Sequence, residues 1–205
     1  MTSLRLMVVT DRRLAAPRTV AEVVAAALAG GARAIQLRDK DATARELHAQ
    51  AVALLPAVHG HGGILIVNDR LDVALAAGAD GVHLGPDDLP VAAARRVAPA
   101  GFLIGASTDD PDRARELERD GANYIGCGAV FGTSTKDVGG ERIGVGRLAE
   151  VARAVRVPVL AIGGITAGNA RELAGSGAAG VAVVGAVSAA DDPEAAVRAL
   201  LATAL

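Results

Sequence analysis

Residues 64–84, with the sequence ILIVNDRLDVALAAGADGVHL, contain one complete unit of the fold. The unit begins with a short apolar run, Ile64–Asn68, which is typical of a parallel strand buried on both faces. The alanine-rich segment Leu71–Ala77 then predicts a helix, and Gly78 marks its end. A second strand is predicted at Gly81–Leu84. A strand, a helix and a second strand joined by short connections predict two parallel strands with a crossover helix between them.

The same alternation continues along the chain in both directions. Further strands are predicted at residues 4–10, 34–38, 103–107, 124–127, 158–162 and 180–184. Further helices are predicted at residues 20–29, 43–58, 91–97, 111–119, 146–155, 166–174 and 193–201. A Gly-Ala pair precedes a strand at Gly31, Gly78, Gly121 and Gly177, and we predict that each of these glycines is the C′ residue of the helix before it.

Eight strand–helix units predict an α/β protein, a single (β/α)₈ TIM-barrel domain that spans residues 1–205. No linker or shift in composition divides the chain. An open, doubly wound sheet is the alternative, but the number of units and the absence of an early Gly-x-Gly-x-x-Gly motif favour the closed barrel. The active sites of TIM barrels lie at the carboxyl ends of the strands, so the polar residues at these ends are the candidate site residues.

The charge and composition of the chain argue against several classes of function. A formal net charge of −2 provides no general basic surface, so we expect no nucleic-acid partner. No run of about 18 apolar residues is present, so we expect no membrane-spanning helix. Cys127 is the only cysteine, which excludes an internal disulfide and, with the early charged residues, predicts a cytoplasmic protein. Small barrels often associate, so a homo-oligomer is compatible with the sequence.

The end of the second predicted strand carries a line of polar side chains. Because side chains alternate along a strand, Gln36, Arg38 and Lys40 are expected to face the barrel interior and its mouth. Two cations and an amide on one line predict the binding of a polyphosphate, with arginine as a planar fork and lysine as a point charge. The alternative is a solvated strand end, in which these cations pair with Asp39 and Asp41.

Two acidic residues follow neighbouring strands. Asp69 comes directly after Asn68 at the end of the third strand, and Asp88 follows the fourth. Two carboxylates at one mouth, together with substrate oxygens, are a usual setting for Mg²⁺. Capping of the next helix is the alternative role for Asp69, and Asp87 competes with Asp88.

Three other segments are candidates for binding phosphate. Ser107 ends the fifth strand, where its hydroxyl either donates to a phosphate oxygen or begins an ordinary helix cap. In the long loop at residues 128–140, three hydroxyls and a cation predict an anion cradle, with a flexible surface loop as the alternative; these residues are Thr133, Ser134, Thr135 and Lys136. Glycines after strands seven and eight, including Gly164 and Gly185, allow backbone N–H groups to approach a ligand. His83 and Cys127 are interpreted as structural residues.

Taken in order, these motifs resemble thiamine phosphate synthases. The resemblance rests on residues 36–40, 68–70, 81–88, 131–136 and 161–165, with residues 8–11 in addition, and it covers essentially the whole chain. It implies a (β/α)₈ barrel that uses Mg²⁺ and takes two small phosphorylated substrates. These are 4-amino-2-methyl-5-hydroxymethylpyrimidine pyrophosphate and hydroxyethylthiazole phosphate, and the products are thiamine phosphate and pyrophosphate.

The resemblance also implies a role for each matching residue. The pyrimidine pyrophosphate would be held by Gln36, Arg38, Lys40, Asn68, Ser107 and Lys136, of which Arg38, Lys40 and Lys136 would be catalytic. The thiazole phosphate would be held by Thr133, Ser134, Thr135, Gly164, Val184 and Gly185. Asp69 and Asp88 would bind Mg²⁺. Two positions depart from the family pattern, because Gly132 stands where proline is usual and Gly185 where serine is usual.

Three other functions compete with this interpretation. A related thiazole tautomerase has a catalytic histidine where this chain has Ala129, so the sequence argues against it. A sugar-phosphate isomerase or epimerase would need an acid–base pair at the barrel mouth, and the sequence offers no convincing pair. A non-catalytic barrel that binds a phosphorylated ligand would explain the glycines and cations without requiring both aspartates.

Overall fold

The computed structural model describes residues 2–132 and 142–203. Its strands are β1 (Leu6–Val9), β2 (Ala34–Leu37), β3 (Ile64–Asn68), β4 (Gly81–Leu84), β5 (Leu103–Ser107), β6 (Tyr124–Cys127), β7 (Val159–Ile162) and β8 (Gly180–Val183). They form a closed barrel in chain order, and every neighbouring pair is parallel, including β8 with β1. The predicted eight-stranded TIM barrel is therefore confirmed.

Helices surround the barrel. They are α1 (Arg12–Ala15), α2 (Val20–Ala29), α3 (Ala44–Gly60), α4 (Leu71–Ala77), α5 (Val91–Val97), α6 (Pro111–Arg119), α7 (Gly144–Ala154), α8 (Gly185–Ser188) and α9 (Pro193–Thr203). Short 3₁₀ helices occur at Thr2–Arg5 and Ala170–Leu173. None of the helices in the described residues is long and apolar enough to cross a membrane.

The helix predicted at residues 166–174 is wrong in type, because only the 3₁₀ turn Ala170–Leu173 forms there. The cause is the side chain of Asn169, which accepts a hydrogen bond from the Thr166 N–H at 2.8 Å and donates one to the Gly164 carbonyl at 2.8 Å. Asparagine side chains that bond to nearby backbone compete with helix formation. The short helices α1 and α8 were not predicted.

The Gly-Ala pairs end three of the predicted helices as expected. Ala32, Ala79 and Ala122 donate their N–H groups to carbonyls five residues earlier, at distances of 2.9–3.0 Å. The preceding glycines all have positive φ angles, as in a Schellman motif. Gly177 also has a positive φ but follows the 3₁₀ turn, and the next N–H bonds to the Ser176 hydroxyl instead. The C′ prediction is therefore wrong at Gly177, because no α-helix precedes it.

The core has two layers, which the alternation of side chains along each strand separates. Side chains such as Val8, Ile35 and Val82 point outward and pack against the helices. A smaller cluster fills the barrel interior with Met7, Val9, Ala34, Ile66, Tyr124, Leu160 and Ala182 as members. Tyr124 is the aromatic ring in this inner cluster, and it fits because its neighbour on β5 is Gly105. A Cβ atom at position 105 would collide with the tyrosine ring.

Candidate active site

A cavity of about 320 Å³ opens at the carboxyl ends of the strands. Its walls include residues that the sequence analysis assigned to both substrates: Gln36, Arg38, Asn68, Ser107, Gly164, Val184 and Gly185. These residues come from β2, β3 and β5 and from the turns after β7 and β8, which are far apart in the sequence. Closure of the barrel brings them to one place.

Arg38 is fixed in the cavity wall by two residues that follow β1. Its guanidinium Nη1 lies 3.3 Å from Asp11 Oδ2, and both side chains are largely buried. Its backbone N–H donates to the Thr10 hydroxyl at 2.9 Å, and that hydroxyl donates to the Arg38 carbonyl at 3.1 Å. Asp11 is fixed in turn, because its Oδ1 accepts the N–H groups of Arg13 and Leu14. Asp11 was not predicted as a partner of Arg38.

Lys40, Asp69 and Asp88 form an acidic and basic cluster beside Arg38 and Asn68 of the cavity wall, although none of the three lines the cavity itself. The Lys40 Nζ atom lies 3.9 Å from Asp69 Oδ2, and its side chain is 61% exposed. Burial raises the pKa of Asp69 to about 6, and the hydrogen bond and negative charge of Asp88 add to this effect, while Lys40 and Arg38 oppose it. Asp88 is positioned by the Gly85 N–H, which donates to its Oδ2 at 2.7 Å.

The backbone at Asp69 is strained. Its φ of 63° lies in the left-handed region, where it is the one residue other than glycine in the described part of the chain. Residues in such conformations cost free energy and cluster at active sites. The Asp69 N–H donates to the His83 carbonyl at 2.8 Å, which ties the turn after β3 to β4. The strain therefore places the carboxylate beside Asp88. The neighbouring Asp87 is exposed.

The paired carboxylates fit a divalent cation. Asp69 and Asp88 share a hydrogen bond, and the negative charge of Asp88 helps to raise the pKa of Asp69. A bound cation would relieve the repulsion between the two carboxylates. Residues 2–132 and 142–203 contain no group of three or more His, Cys, Asp or Glu side chains arranged to hold a metal. An ion at this pair would therefore take its other ligands from water or substrate, which is the usual coordination of Mg²⁺.

The floor of the cavity is polar, which the sequence analysis did not predict. His83 lies between two hydroxyl groups: its Nδ1 is 3.0 Å from the Tyr124 hydroxyl, and its Nε2 is 2.8 Å from Ser107 Oγ. All three side chains line the cavity. His83 was interpreted from the sequence as a structural residue. The alternation of side chains along β4 could have shown that its ring faces the barrel interior, on the same face as Gly81.

The predicted phosphate segments are described only in part. Gly164, just after β7, has a φ of 66°. A Cβ atom there would collide with the Gly132 carbonyl, so the turn after β7 packs directly against the loop after β6. Gly132 has a φ of 79°, which proline cannot adopt, so the usual proline of the family would require a different backbone here. A Cβ at Gly185 would lie 3.8 Å from Leu14, so a serine would fit. Thr133, Ser134, Thr135 and Lys136 lie outside the described residues.

Cys127 behaves as predicted. Its side chain is buried, and burial raises the pKa of its thiol to about 12, so it is not a reactive thiolate.

The closed parallel barrel, with its cavity at the carboxyl ends of the strands, has the arrangement of a (β/α)₈-barrel enzyme. The sequence profile of the thiamine monophosphate synthase family matches residues 6–187, and the chain belongs to this family. Its thiamine-phosphate synthase relatives indicate that it is a transferase.

Individual relatives agree with this assignment. The thiamine-phosphate synthase of Roseiflexus castenholzii is 52% identical over 193 residues, covering 94% of this chain and 85% of the relative. The thiamine-phosphate synthase of Chlorobium luteolum is 51% identical over 181 residues, covering 88% of this chain and 85% of the relative. The solved structure of thiamine phosphate pyrophosphorylase from Pyrococcus furiosus is 42% identical, has a TM-score of 0.90, and covers 98% of this chain and 95% of that one.

Proposed function

We propose that this chain catalyses the Mg²⁺-dependent joining of 4-amino-2-methyl-5-hydroxymethylpyrimidine pyrophosphate to hydroxyethylthiazole phosphate. The carbon–oxygen bond to pyrophosphate breaks, and its electron pair leaves with pyrophosphate. The thiazole nitrogen then forms the new bond to the same carbon, which gives thiamine phosphate. The proposal is supported by the electrostatic contacts that join Arg38, Lys40 and the Asp69–Asp88 pair beside the cavity that Arg38 lines.

Charge stabilisation of the leaving group is the main task of the cationic residues. Negative charge grows on pyrophosphate as it departs, so cations placed around it act most strongly in the transition state. Arg38, held by Asp11, offers two donors in a fixed orientation, and Lys40 offers a mobile point charge. Lys136, from the loop after β6, would be the third cation around pyrophosphate. Loss of one of these cations should cost about 2–4 kcal/mol of transition-state stabilisation.

Asp69 and Asp88 would hold Mg²⁺ beside the cavity, and the ion would supply positive charge to the diphosphate. Gly85 keeps Asp88 in place through its backbone N–H, and the backbone at Asp69 turns that carboxylate toward it.

The remaining residues bind and orient the two substrates. Gln36, Asn68 and Ser107 line the cavity and would bind the pyrimidine substrate. Gly164, Val184 and Gly185 also line it and would bind the thiazole phosphate together with Thr133, Ser134 and Thr135. Holding the nucleophilic nitrogen beside the reacting carbon removes most of the entropic cost of the bond-forming step. The aminopyrimidine stabilises the developing cation, so no protein nucleophile is required.

The competing functions find less support. Ala129 lines the cavity at the position of the tautomerase histidine, and a methyl group cannot transfer a proton. A binding module without catalysis has no use for the strained backbone of Asp69 or for its contact with Asp88. The buried, largely unreactive Cys127 agrees with a reducing compartment, and we place the reaction in the cytoplasm.

The decisive experiment measures pyrophosphate release from the two substrates with Mg²⁺ and with a chelator. We expect release to need both substrates and the metal. Asp88→Asn should lose turnover, while Asp87→Asn, a matched change at the exposed neighbour, should retain it. Binding of both substrates without turnover would instead support a binding module, and equal rates with and without chelator would exclude the metal role.

A further inference from the structure

A chain of polar side chains crosses the floor of the barrel. Its members are Gln36, Tyr124, His83 and Ser107, from β2, β6, β4 and β5, and we call them the inner relay. The first three are buried, and Ser107 is half-buried at the cavity wall. The rings of His83 and Tyr124 are stacked, with centroids 5.5 Å apart and an angle of 29° between their planes. Nothing in the proposed reaction uses His83 or Tyr124.

The strand register builds the inner relay. His83 lies opposite Gly105, Gly105 lies opposite Tyr124, and Ser107 lies opposite Gly126. The two glycines leave room for the two rings. A Cβ at position 105 would collide with Tyr124, and a Cβ at Gly126 would lie 3.1 Å from His83 Cε1. Apolar side chains fill most of the rest of the interior, so this polar chain depends on a specific arrangement of glycines.

The direction of the two hydrogen bonds at His83 depends on its tautomer. Burial raises the pKa of Tyr124 well above its usual range, so the phenol keeps its proton and can act as a donor. In one of the two neutral tautomers the phenol donates to His83 Nδ1, 3.0 Å away.

This tautomer is the one that makes His83 a donor to Ser107. A neutral imidazole that accepts at Nδ1 carries its proton on Nε2. That N–H would donate to Ser107 Oγ across 2.8 Å. The serine hydroxyl would then keep its own proton for an acceptor in the cavity that Ser107 lines.

We propose that His83 is a positioning residue, which holds Ser107 so that the serine hydroxyl donates to an oxygen of the departing pyrophosphate. Tyr124 acts one step further away by fixing the tautomer of His83. The inference rests on the proposed function for the identity of the acceptor. It gives His83 and Tyr124 a role in the reaction. Without them the serine hydroxyl would rotate and donate to other acceptors.

Two substitutions at position 83 separate positioning from packing. The amide nitrogen of glutamine reaches about as far as the imidazole Nε2, whereas that of asparagine reaches only about as far as Nδ1. His83→Asn should therefore lower kcat by about tenfold to a hundredfold with little change in KM for the pyrimidine pyrophosphate, since the lost donor acts on charge that develops in the transition state. His83→Gln should recover most of this loss. His59→Asn, at an exposed histidine that pairs with Asp80, is the control and should be neutral.

A double-mutant cycle tests whether His83 acts through Ser107. If it does, His83→Asn combined with Ser107→Ala should be no slower than Ser107→Ala alone. Multiplied losses in kcat would overturn the proposal, as would equal losses in the asparagine and glutamine variants. Thermal unfolding of each variant separates folding defects from these effects.

The histidine tautomer provides a readout that needs no activity. Nitrogen-15 NMR of histidine-labelled protein should show His83 neutral, with its proton on Nε2, and Tyr124→Phe should weaken this preference. A proton on Nδ1 in the unmodified protein would refute the relay even if the enzyme is active. An inactive protein with the expected tautomer would count against the proposed reaction, but it would still support the proposed directions of the hydrogen bonds in the relay.

Discussion

Asp69→Asn should stabilise the metal-free protein while it abolishes turnover. The pKa of Asp69 is raised from 3.8 to about 6 in the folded chain, so folding binds a proton between these values. Asp69 therefore favours the folded state most below pH 4, and this contribution is lost as the pH rises through about 6. At neutral pH the folded protein carries a partly buried carboxylate beside Asp88, at a cost in stability.

The size of this cost follows from the shift in pKa. A rise from 3.8 to about 6 corresponds to about 3 kcal/mol at full effect. The Asp69 side chain is 28% exposed, and solvent screening reduces the expected gain from substitution to about 1–2 kcal/mol. For a domain of this size, that gain raises the melting temperature by about 2–8 °C. Asparagine tolerates the left-handed backbone at this position as well as aspartate does, so the substitution adds no backbone strain.

The assay is thermal unfolding of both proteins from pH 4 to pH 8 in the presence of a chelator. The two melting temperatures should differ little near pH 4, separate as the pH rises toward about 6, and keep a constant difference above it. Mg²⁺ should raise the melting temperature of the unmodified protein alone. Asp72→Asn is the control, because Arg70 lowers the pKa of that exposed carboxyl and its loss should change little. A constant difference at all pH values would refute the electrostatic origin.

Four further results follow from the site. Asp11→Asn should reduce kcat/KM by about tenfold, because Arg38 loses the charged partner that fixes its guanidinium; steady-state kinetics would show this, and an unchanged value would mean that Arg38 needs no such support. Cys127 should resist thiol reagents in the folded protein at pH 8 and react after denaturation, since its pKa is about 12; rapid labelling of the native chain would contradict its burial. Lys136→Ala should reduce turnover severely without lowering the melting temperature. Thr133→Ala should mainly raise KM for the thiazole phosphate, and a defect confined to the pyrimidine substrate would show that Thr133 does not bind the thiazole phosphate.

Much of the fold could be predicted because its local signals agree with its tertiary structure. The strands β3 to β6 have the predicted bounds, since each is a short, mainly apolar run between turn residues. The helix after β7 failed because one side chain, Asn169, bonds to the backbone around it. Periodicity contains no information about such a contact. The short helix α1 was missed for a similar reason, because its cap is the Asp11 side chain within what reads as a loop.

The site residues were also predictable where a local pattern decides their position, and not where tertiary contacts decide it. Alternation along β2 correctly placed Gln36 and Arg38 in the cavity wall, because a strand has only two faces. The contacts of His83 with Tyr124 and Ser107 could not be predicted, since they join three strands whose relative register is set by closure of the barrel. The same limit applies to the pairing of Arg38 with Asp11, which lies 27 residues earlier.

The steric relation between Gly105 and Tyr124 has an evolutionary consequence. Position 105 can gain a side chain only when position 124 loses its ring, because one volume is shared between them. A side chain at position 105 meets a clash while the ring is present, whereas a ring-retaining change at position 124 does not. Among aligned relatives, an aromatic residue at 124 should therefore co-vary with glycine at 105. Random mutagenesis should recover a side chain at position 105 only together with a smaller residue at position 124.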